Sequence, residues 1–149
     1  MKLSDLGIQD EVFEKLLDVC DQMNIKVALT PFAPSGACFD PINNIISIAP
    51  AVLFNCKDAI PTMAHELGHA ATLTRGDLFA TMLVNTTGGM IIKSLPEFGT
   101  VVYEQEKKAW NAGQSLLELI GYKDWDCFNS VKQKALSSYE ILLPKPEVK

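Results

Sequence analysis

The sequence predicts an α+β fold in which a helical core packs beside a small antiparallel sheet. Four segments have the apolar spacing or the capping residues of helices, and two short β-branched segments follow the first of them. The chain of 149 residues is 48% hydrophobic and 21% charged, which is sufficient for one compact domain without disulfides. We therefore expect a single domain over residues 1–149.

The first helix is predicted over residues 4–23. Apolar residues recur there at helical spacing between charged residues, and Ser4 and Asp5 are suited to cap its start. Two strands are predicted next, over residues 25–32 (IKVALTPF) and 43–50 (NNIISIAP), because both segments are short, apolar and β-branched. Proline and glycine residues fill the connection between them, and we expect the two strands to pair.

The second helix is predicted from Ala59 to about Thr74, ending before Gly76. Asp58 can cap its start, and Pro61 lies in the first turn, where the missing N–H costs little. The segment that follows gives no clear pattern, because a pair of glycines interrupts its helical spacing.

Two further helices complete the predicted fold. Apolar residues repeat at three- and four-residue steps over residues 99–120, and Gly121 ends that helix. The last helix covers residues 125–142. The tail, residues 143–149, is short and polar, and we expect it to be loose.

Composition and charge limit the classes of function. A net charge of −5 disfavours nucleic acid as a partner. The N-terminal residues lack the apolar run of a secretory signal, and the most apolar stretch, residues 79–92, is too short to cross a membrane. We therefore expect a cytoplasmic protein without a membrane partner. Four dispersed cysteines form no C-x-x-C pair and are expected to stay reduced and mostly buried: Cys20, Cys38, Cys56 and Cys127.

The most specific pattern in the chain is AHELGHAA, in the second predicted helix, which contains both histidines. His65 and His69 are four residues apart, so their side chains lie one turn apart on one helix face and can bind one ion. Glu66 is placed to accept a proton from a water that the ion activates. H-E-x-x-H on a helix therefore predicts Zn²⁺, with His65 and His69 as ligands and Glu66 as general base.

Gly68, inside the motif, gives indirect support to this prediction. Glycine in a helix interior costs about 1 kcal/mol relative to alanine. A purely structural helix has no evident use for that cost, whereas a site that needs the close approach of a strand or a substrate has one.

The third ligand is left open by the spacing alone. A catalytic zinc takes three protein ligands and a water. The chain has no third histidine, so a carboxylate or a cysteine must complete the set. The downstream acidic candidates are Asp77, Glu97, Glu104, Glu106 and Glu118.

Taken together, AHELGHAA, the hairpin-like stretch GACFDPINNIISIAP before it and YEQEKKAWNAG after it resemble the ImmA/IrrE type of small metallopeptidase of bacteria and their mobile elements. The resemblance covers about residues 25–120 and implies a gluzincin-like, zincin-like minimal metallopeptidase domain. In that family a glutamate that opens an E-x-x-A-N or similar motif is the third ligand, which implies Glu106. Ala109 matches the motif, and Trp110 departs from it where a polar residue is usual.

Other residues are secondary candidates. Trp110 shares a helix face with Glu106, so it is expected either to pack over the site or to serve the core alone. Tyr103, Arg75 and Tyr139 are candidates to stabilise the oxyanion that forms when water attacks a carbonyl. For each of the three, an ordinary solvated or half-buried side chain is the alternative.

These residues predict a zinc metallopeptidase that hydrolyses a peptide bond in a protein substrate, and the resemblance implies a regulatory protein as that substrate. The sheet edge near residues 42–49 is predicted to hold an extended peptide beside the ion. One alternative is a zinc-stabilised module that binds a protein without catalysis. A second alternative is hydrolysis of a cell-wall amide, which the lack of a secretory signal disfavours.

Overall fold

The computed structural model describes residues 10–31, 36–54, 56–73, 96–140 and 143. Five helices and three strands lie within these residues, which confirms the predicted α+β class. In chain order they are α1 (Glu11–Gln22), β1 (Lys26–Leu29), β2 (Ala37–Asp40), β3 (Ile45–Ile48), α2 (Pro50–Phe54), α3 (Cys56–Thr72), α4 (Pro96–Ile120) and α5 (Trp125–Glu140).

Helix α1 begins at Glu11, later than its predicted start. Asp10 caps it, because its extended backbone lets the side chain accept a hydrogen bond of 2.9 Å from the backbone N–H of Phe13. Ser4 and Asp5, the predicted caps, lie outside the described residues. The helix packs its apolar face into the core through Phe13, Leu16, Leu17 and Cys20.

The sheet is mixed, so the prediction of an antiparallel sheet is wrong for one of its two pairings. Its strands lie in the order β1, β3, β2, with β3 parallel to β1 and antiparallel to β2. β1 and β3 lie inside the two predicted strands. β2 lies in the predicted connection, where proline and glycine residues are typical of a loop.

A tight turn joins β2 to β3. The Asp40 carboxylate accepts hydrogen bonds from the backbone N–H groups of Ile42 and Asn43, at 2.9 and 3.2 Å. Asn44 adopts a left-handed conformation with φ of 57°, which asparagine tolerates better than most residues. This turn places β2 at the edge of the sheet, beside the site described below.

Helix α3 runs through the centre of the fold and contacts α1, α2, β2, α4 and α5. It begins at Cys56, so Asp58 lies in its first turn and is not the cap that the sequence predicts. It ends at Thr72, two residues before the predicted end at Thr74. Its buried side includes Ala59, Met63 and Leu67.

Helices α4 and α5 form the rest of the helical core. α4 ends at Ile120, as predicted, and Gly121 follows it with φ of +87°, a conformation that glycine adopts without strain. The Nζ of Lys15, on α1, donates a hydrogen bond of 3.2 Å to the carbonyl of Ile120 at this end. α5 begins at the predicted Trp125 and ends at Glu140.

Two glycines allow α3 and α4 to pack in direct backbone contact. A Cβ on Gly68 would lie 2.0 Å from the carbonyl oxygen of Ala109, and a Cβ on Gly113 would lie 2.7 Å from that of Ala64. The close approach predicted at Gly68 is therefore made by a second helix, and neither a strand nor a substrate makes it. The contact fixes the height and rotation of α4 against α3.

Some predictions fall on residues that the structure does not describe. These are the unassigned segment after α3, the secondary candidates Arg75 and Asp77, and most of the tail over residues 143–149. Among the helices of the described residues, none has the length and apolarity needed to cross a bilayer.

Candidate metal centre

Two helices bring the three predicted ligands together. His65 and His69 project from one face of α3, with ring centroids 4.5 Å apart, and Glu106 projects from α4 towards them. The Glu106 carboxylate lies 2.7 Å from Nε2 of His65 through one oxygen and 3.0 Å from Nε2 of His69 through the other. One carboxylate therefore bridges the two imidazoles.

All three side chains are buried, and their hydrogen bonds shift two pKa values strongly. Burial alone would lower the pKa of His65, but hydrogen bonds to Glu106 and Glu66 outweigh it and raise that pKa to about 9. Burial would raise the pKa of Glu106, yet hydrogen bonds from His65 and His69 bring it down to about 2. Without a cation, the cluster at neutral pH thus pairs an ionised carboxylate with a protonated imidazole.

The donor atoms of this cluster suit a metal ion. One ligand atom each from His65, His69 and Glu106 lies within 4.8 Å of the other two. Two imidazole nitrogens and one carboxylate are a donor set that zinc accepts at catalytic sites, and other first-row divalent cations bind such donors as well. The structure therefore brings together a buried group able to hold a metal ion.

Glu66 lies beside this group and is 6% exposed. Its carboxylate is 3.4 Å from Nδ1 of His65, on the opposite side of that ring from Glu106. Glu66 also lines the cleft into which the histidines face. A carboxylate in this position can exchange a proton with a molecule held in the cleft.

Two of the other predicted acidic ligands, Glu104 and Glu118, do not reach the histidines. Glu104 is exposed and forms an ion pair of 3.1 Å with Lys107, and Glu118 is exposed beside Gln114. Glu97 lies in α4, but its side chain is not among those described, and Asp77 lies outside the described residues. Among the described candidates for the third ligand, Glu106 is therefore the one that lies close to both histidines.

The cluster opens into a cleft of about 630 Å³. One face of α3 forms its floor, β2 contributes Cys38 and Phe39 to one wall, and α5 contributes Lys134 and Tyr139 to the other. Cys38 and Phe39 of β2 were not predicted from the sequence to belong to the site. Only the hairpin-like character of that stretch pointed to them.

Tyr139 is the one described residue of the predicted oxyanion candidates that lines this cleft. Burial raises its pKa above the ordinary tyrosine value, and the negative charges of Glu106 and Glu66 raise it further. Its hydroxyl therefore stays protonated at neutral pH and can donate a hydrogen bond. Tyr103 is not among the residues that line the cleft, and the Nζ of Lys107 lies 5.3 Å from its ring centroid. Arg75 is outside the described residues.

Trp110 follows Glu106 by one helical turn and is 1% exposed. Its indole is stacked on the ring of His65, with centroids 4.3 Å apart and an angle of 10° between the planes. Trp110 thus meets both alternatives expected from the sequence, because it belongs to the core and also packs against a predicted ligand.

Comparisons of this chain with models of protein families, with curated proteins and with solved structures found no match.

Proposed function

We propose that this chain is a zinc-dependent peptidase of the ImmA/IrrE type, which hydrolyses a peptide bond in a protein substrate. The observation that carries the proposal is the convergence of buried His65, His69 and Glu106 at the floor of a cleft, with the Glu66 carboxylate beside them. The resemblance of AHELGHAA and EKKAW to that family supports the same conclusion.

In this proposal His65, His69 and Glu106 hold the ion. Bound zinc polarises a carbonyl and lowers the pKa of water, which is the chemistry that amide hydrolysis needs at neutral pH. Glu66 accepts the proton of the attacking water and passes it to the leaving amine. Its burial and its position against His65 hold the carboxylate at the edge of the cleft, where both transfers take place.

Tyr139 has the second role in this mechanism. Its protonated hydroxyl donates a hydrogen bond to the oxygen of the substrate carbonyl, where negative charge develops as water attacks. Its position on the cleft wall formed by α5, and the influence of Glu66 and Glu106 on its pKa, support this assignment.

The substrate strand is proposed to pair with β2. The sequence predicts that the peptide binds at a sheet edge near residues 42–49. That prediction is wrong, because β3 (Ile45–Ile48) is the central strand and is paired on both sides. β2 is at the edge and lines the cleft, and no strand among the described residues pairs with its outer side. An extended peptide can add to that side through main-chain hydrogen bonds.

The competing function is a zinc-stabilised module that binds a partner without catalysis. Structural zinc sites are usually closed by four protein ligands, whereas catalytic sites use three. The described residues supply three ligands and a carboxylate base, with an adjoining cleft of about 630 Å³. These features favour catalysis. Hydrolysis of a cell-wall amide would use the same machinery, and no feature of the described cleft favours it.

The test is Glu66→Gln in the zinc-loaded protein. We expect it to abolish detectable cleavage of a proteome-derived peptide library, analysed by mass spectrometry, because removing a general base commonly lowers the rate by about 10²- to 10⁴-fold. The variant should still bind zinc, since Glu66 is not a ligand.

Glu104→Gln is the matched control, because it makes the same chemical change on an exposed side chain that faces away from the site. It should cleave like the unmodified protein. Cleavage that survives in Glu66→Gln would contradict the proposed role of this residue. A zinc-loaded protein that cleaves neither the library nor intact protein substrates would favour the binding module.

A further inference from the structure

Trp110 is a buried group that the proposed mechanism does not use. Its indole is stacked on the His65 ring, with centroids 4.3 Å apart and nearly parallel ring planes. The ring of Phe128, from α5, makes a T-shaped contact with the Trp110 ring, with centroids 5.6 Å apart and 77° between the ring planes. Trp110 and Phe128 are 1% and 0% exposed, so neither ring has room to turn independently.

The indole N–H of Trp110 helps to decide how this residue acts. Nε1 is buried and has no hydrogen-bond acceptor among the described residues. Trp110 therefore does not orient His65 or a cleft group through that hydrogen bond. What it presents to His65 is the flat face of its ring system.

The face of an indole suits an imidazole that binds a cation. An imidazole acquires positive charge when it binds a metal ion or a proton, and the negative face of an aromatic ring attracts such charge. Stacking also restricts rotation of the imidazole about its χ2 bond, which fixes the direction of Nε2. Metal-ligating histidines normally obtain this restriction from a hydrogen-bonded partner.

We propose that Trp110 is a positioning residue for the metal centre, which fixes the ring plane of His65 by stacking and is itself held by Phe128. It lines the cleft beside His65 but is not one of the proposed ligands, and its effect on the ion passes through His65. Phe128 on α5 packs against Trp110 on α4, and Trp110 packs against His65 on α3. The orientation of a ligand on one helix therefore depends on the packing of two others. This inference rests on the metal binding in the proposed function and does not depend on peptidase activity.

The test measures Co²⁺ and Zn²⁺ binding by the full chain, with Co²⁺ absorption spectra as the readout of coordination geometry. Trp110→Met removes the flat ring but fills much of the space with a flexible apolar chain. We expect it to weaken metal binding by about 10- to 100-fold, the range typical of losing a group that orients a ligand. Its Co²⁺ spectrum should change as well.

Trp110→Phe keeps a flat aromatic ring but is smaller, because it loses the five-membered ring that carries the unpartnered N–H. We expect it to retain the affinity and the Co²⁺ spectrum of the unmodified protein. Phe128→Leu leaves Trp110 intact but removes its edge-on support, so it should weaken binding by less than Trp110→Met. It also gives a decisive result if Trp110→Met does not fold.

Phe13→Leu is the control for a loss of stability alone, because Phe13 is equally buried, at 2% exposure, but lies on α1 away from the cleft. It should lower the melting temperature and leave the affinity and the spectrum unchanged. Equal losses of affinity in Phe13→Leu and Trp110→Met would overturn the inference, and so would equal losses in Trp110→Phe and Trp110→Met. Unchanged binding in Trp110→Met would overturn it and leave the proposed function intact. An unmodified protein that binds neither ion would overturn both.

Discussion

Glu104 and Glu106 show that the position of a glutamate on α4 determines whether its carboxylate reaches the histidines. Two residues apart on an α-helix, they point to nearly opposite sides, at about 200° around the axis. Glu106 meets both histidines, and Glu104 forms an exposed ion pair with Lys107. Spacing alone could not choose between them, because the rotation of α4 about its axis is set by packing against α3. The family resemblance supplied the choice that the structure supports.

His65 leads to a prediction about pH. In the metal-free protein its pKa is raised from 6.5 to about 9, so the stability gained from its pairing with Glu106 is full below pH 6.5 and lost as the pH rises through about 9. The pKa of Glu106 is lowered from 4.5 to about 2, so its contribution is present above pH 4.5 and lost as the pH falls through about 2.

A cation must displace the proton on His65, because only neutral imidazole binds a metal. Zinc uptake at pH 7 should therefore release a proton, and the affinity should increase with pH up to about 9. Titration calorimetry in buffers of different ionisation enthalpy measures this release directly. A binding enthalpy that is the same in every buffer would show that His65 carries no proton at pH 7.

At the scale of the element, the contact between α3 and α4 sets the geometry of the centre. Ala109 lies three residues after Glu106, and its carbonyl occupies the space in which a larger residue at Gly68 would place its Cβ. Any increase in the separation of the helices moves Glu106 away from the histidines. Gly68 thus helps to keep Glu106, the proposed third ligand, close to the histidines, although the two residues are far apart in sequence.

Gly68→Ala tests this packing. Alanine favours a helix, yet a Cβ 2.0 Å from the Ala109 carbonyl oxygen must push the two backbones apart. We expect a loss of about 1 to 3 kcal/mol in the free energy of unfolding, which is typical of overpacking, together with weaker zinc binding. Denaturant unfolding in the presence of a chelator measures the first effect, and zinc titration measures the second.

Ser115→Ala is the control for Gly68→Ala, since Ser115 is exposed on α4 and should tolerate the change within about 0.5 kcal/mol. If Gly68→Ala is as stable as this control and binds zinc normally, the helices are not in the close contact described.

The sequence predicted some elements better than others, for physical reasons. The end of α4 was predictable because Gly121 provides a local signal for it. The start of α3 was not, because Asp58 can serve equally as a cap or as an acidic residue of the first turn. β2 was missed because the proline and glycine residues near it are typical of a loop. The parallel pairing of β1 with β3 was missed because it joins residues far apart in the chain. The stacking of Trp110 on His65 was open for the same reason.

At the scale of the whole molecule, the candidate site exists only in the folded chain. Its floor comes from α3, its third ligand from α4, and its walls from β2 and α5. These parts extend from residue 37 to residue 139, so an unfolded chain offers no site in which these donors converge. A cation that binds only the folded state must stabilise the whole fold.

Removal of the metal should therefore lower the melting temperature. Zinc at a thousand times its dissociation constant adds about 4 kcal/mol to the free energy of unfolding. For a chain of this size that corresponds to a shift of roughly 10 °C. Thermal melts with zinc and with a chelator measure it, and Glu106→Gln is the control in which the shift should be much smaller. A melting temperature that zinc does not change would contradict this expectation.

The most direct test of the central claim is a crystal structure of the zinc-loaded protein, with anomalous scattering recorded at the zinc absorption edge. We predict one strong anomalous peak at the floor of the cleft, about 2.0–2.2 Å from Nε2 of His65, Nε2 of His69 and a carboxylate oxygen of Glu106. A zinc-loaded crystal with no peak between these three side chains, or with the two imidazoles turned away from each other, would contradict the account.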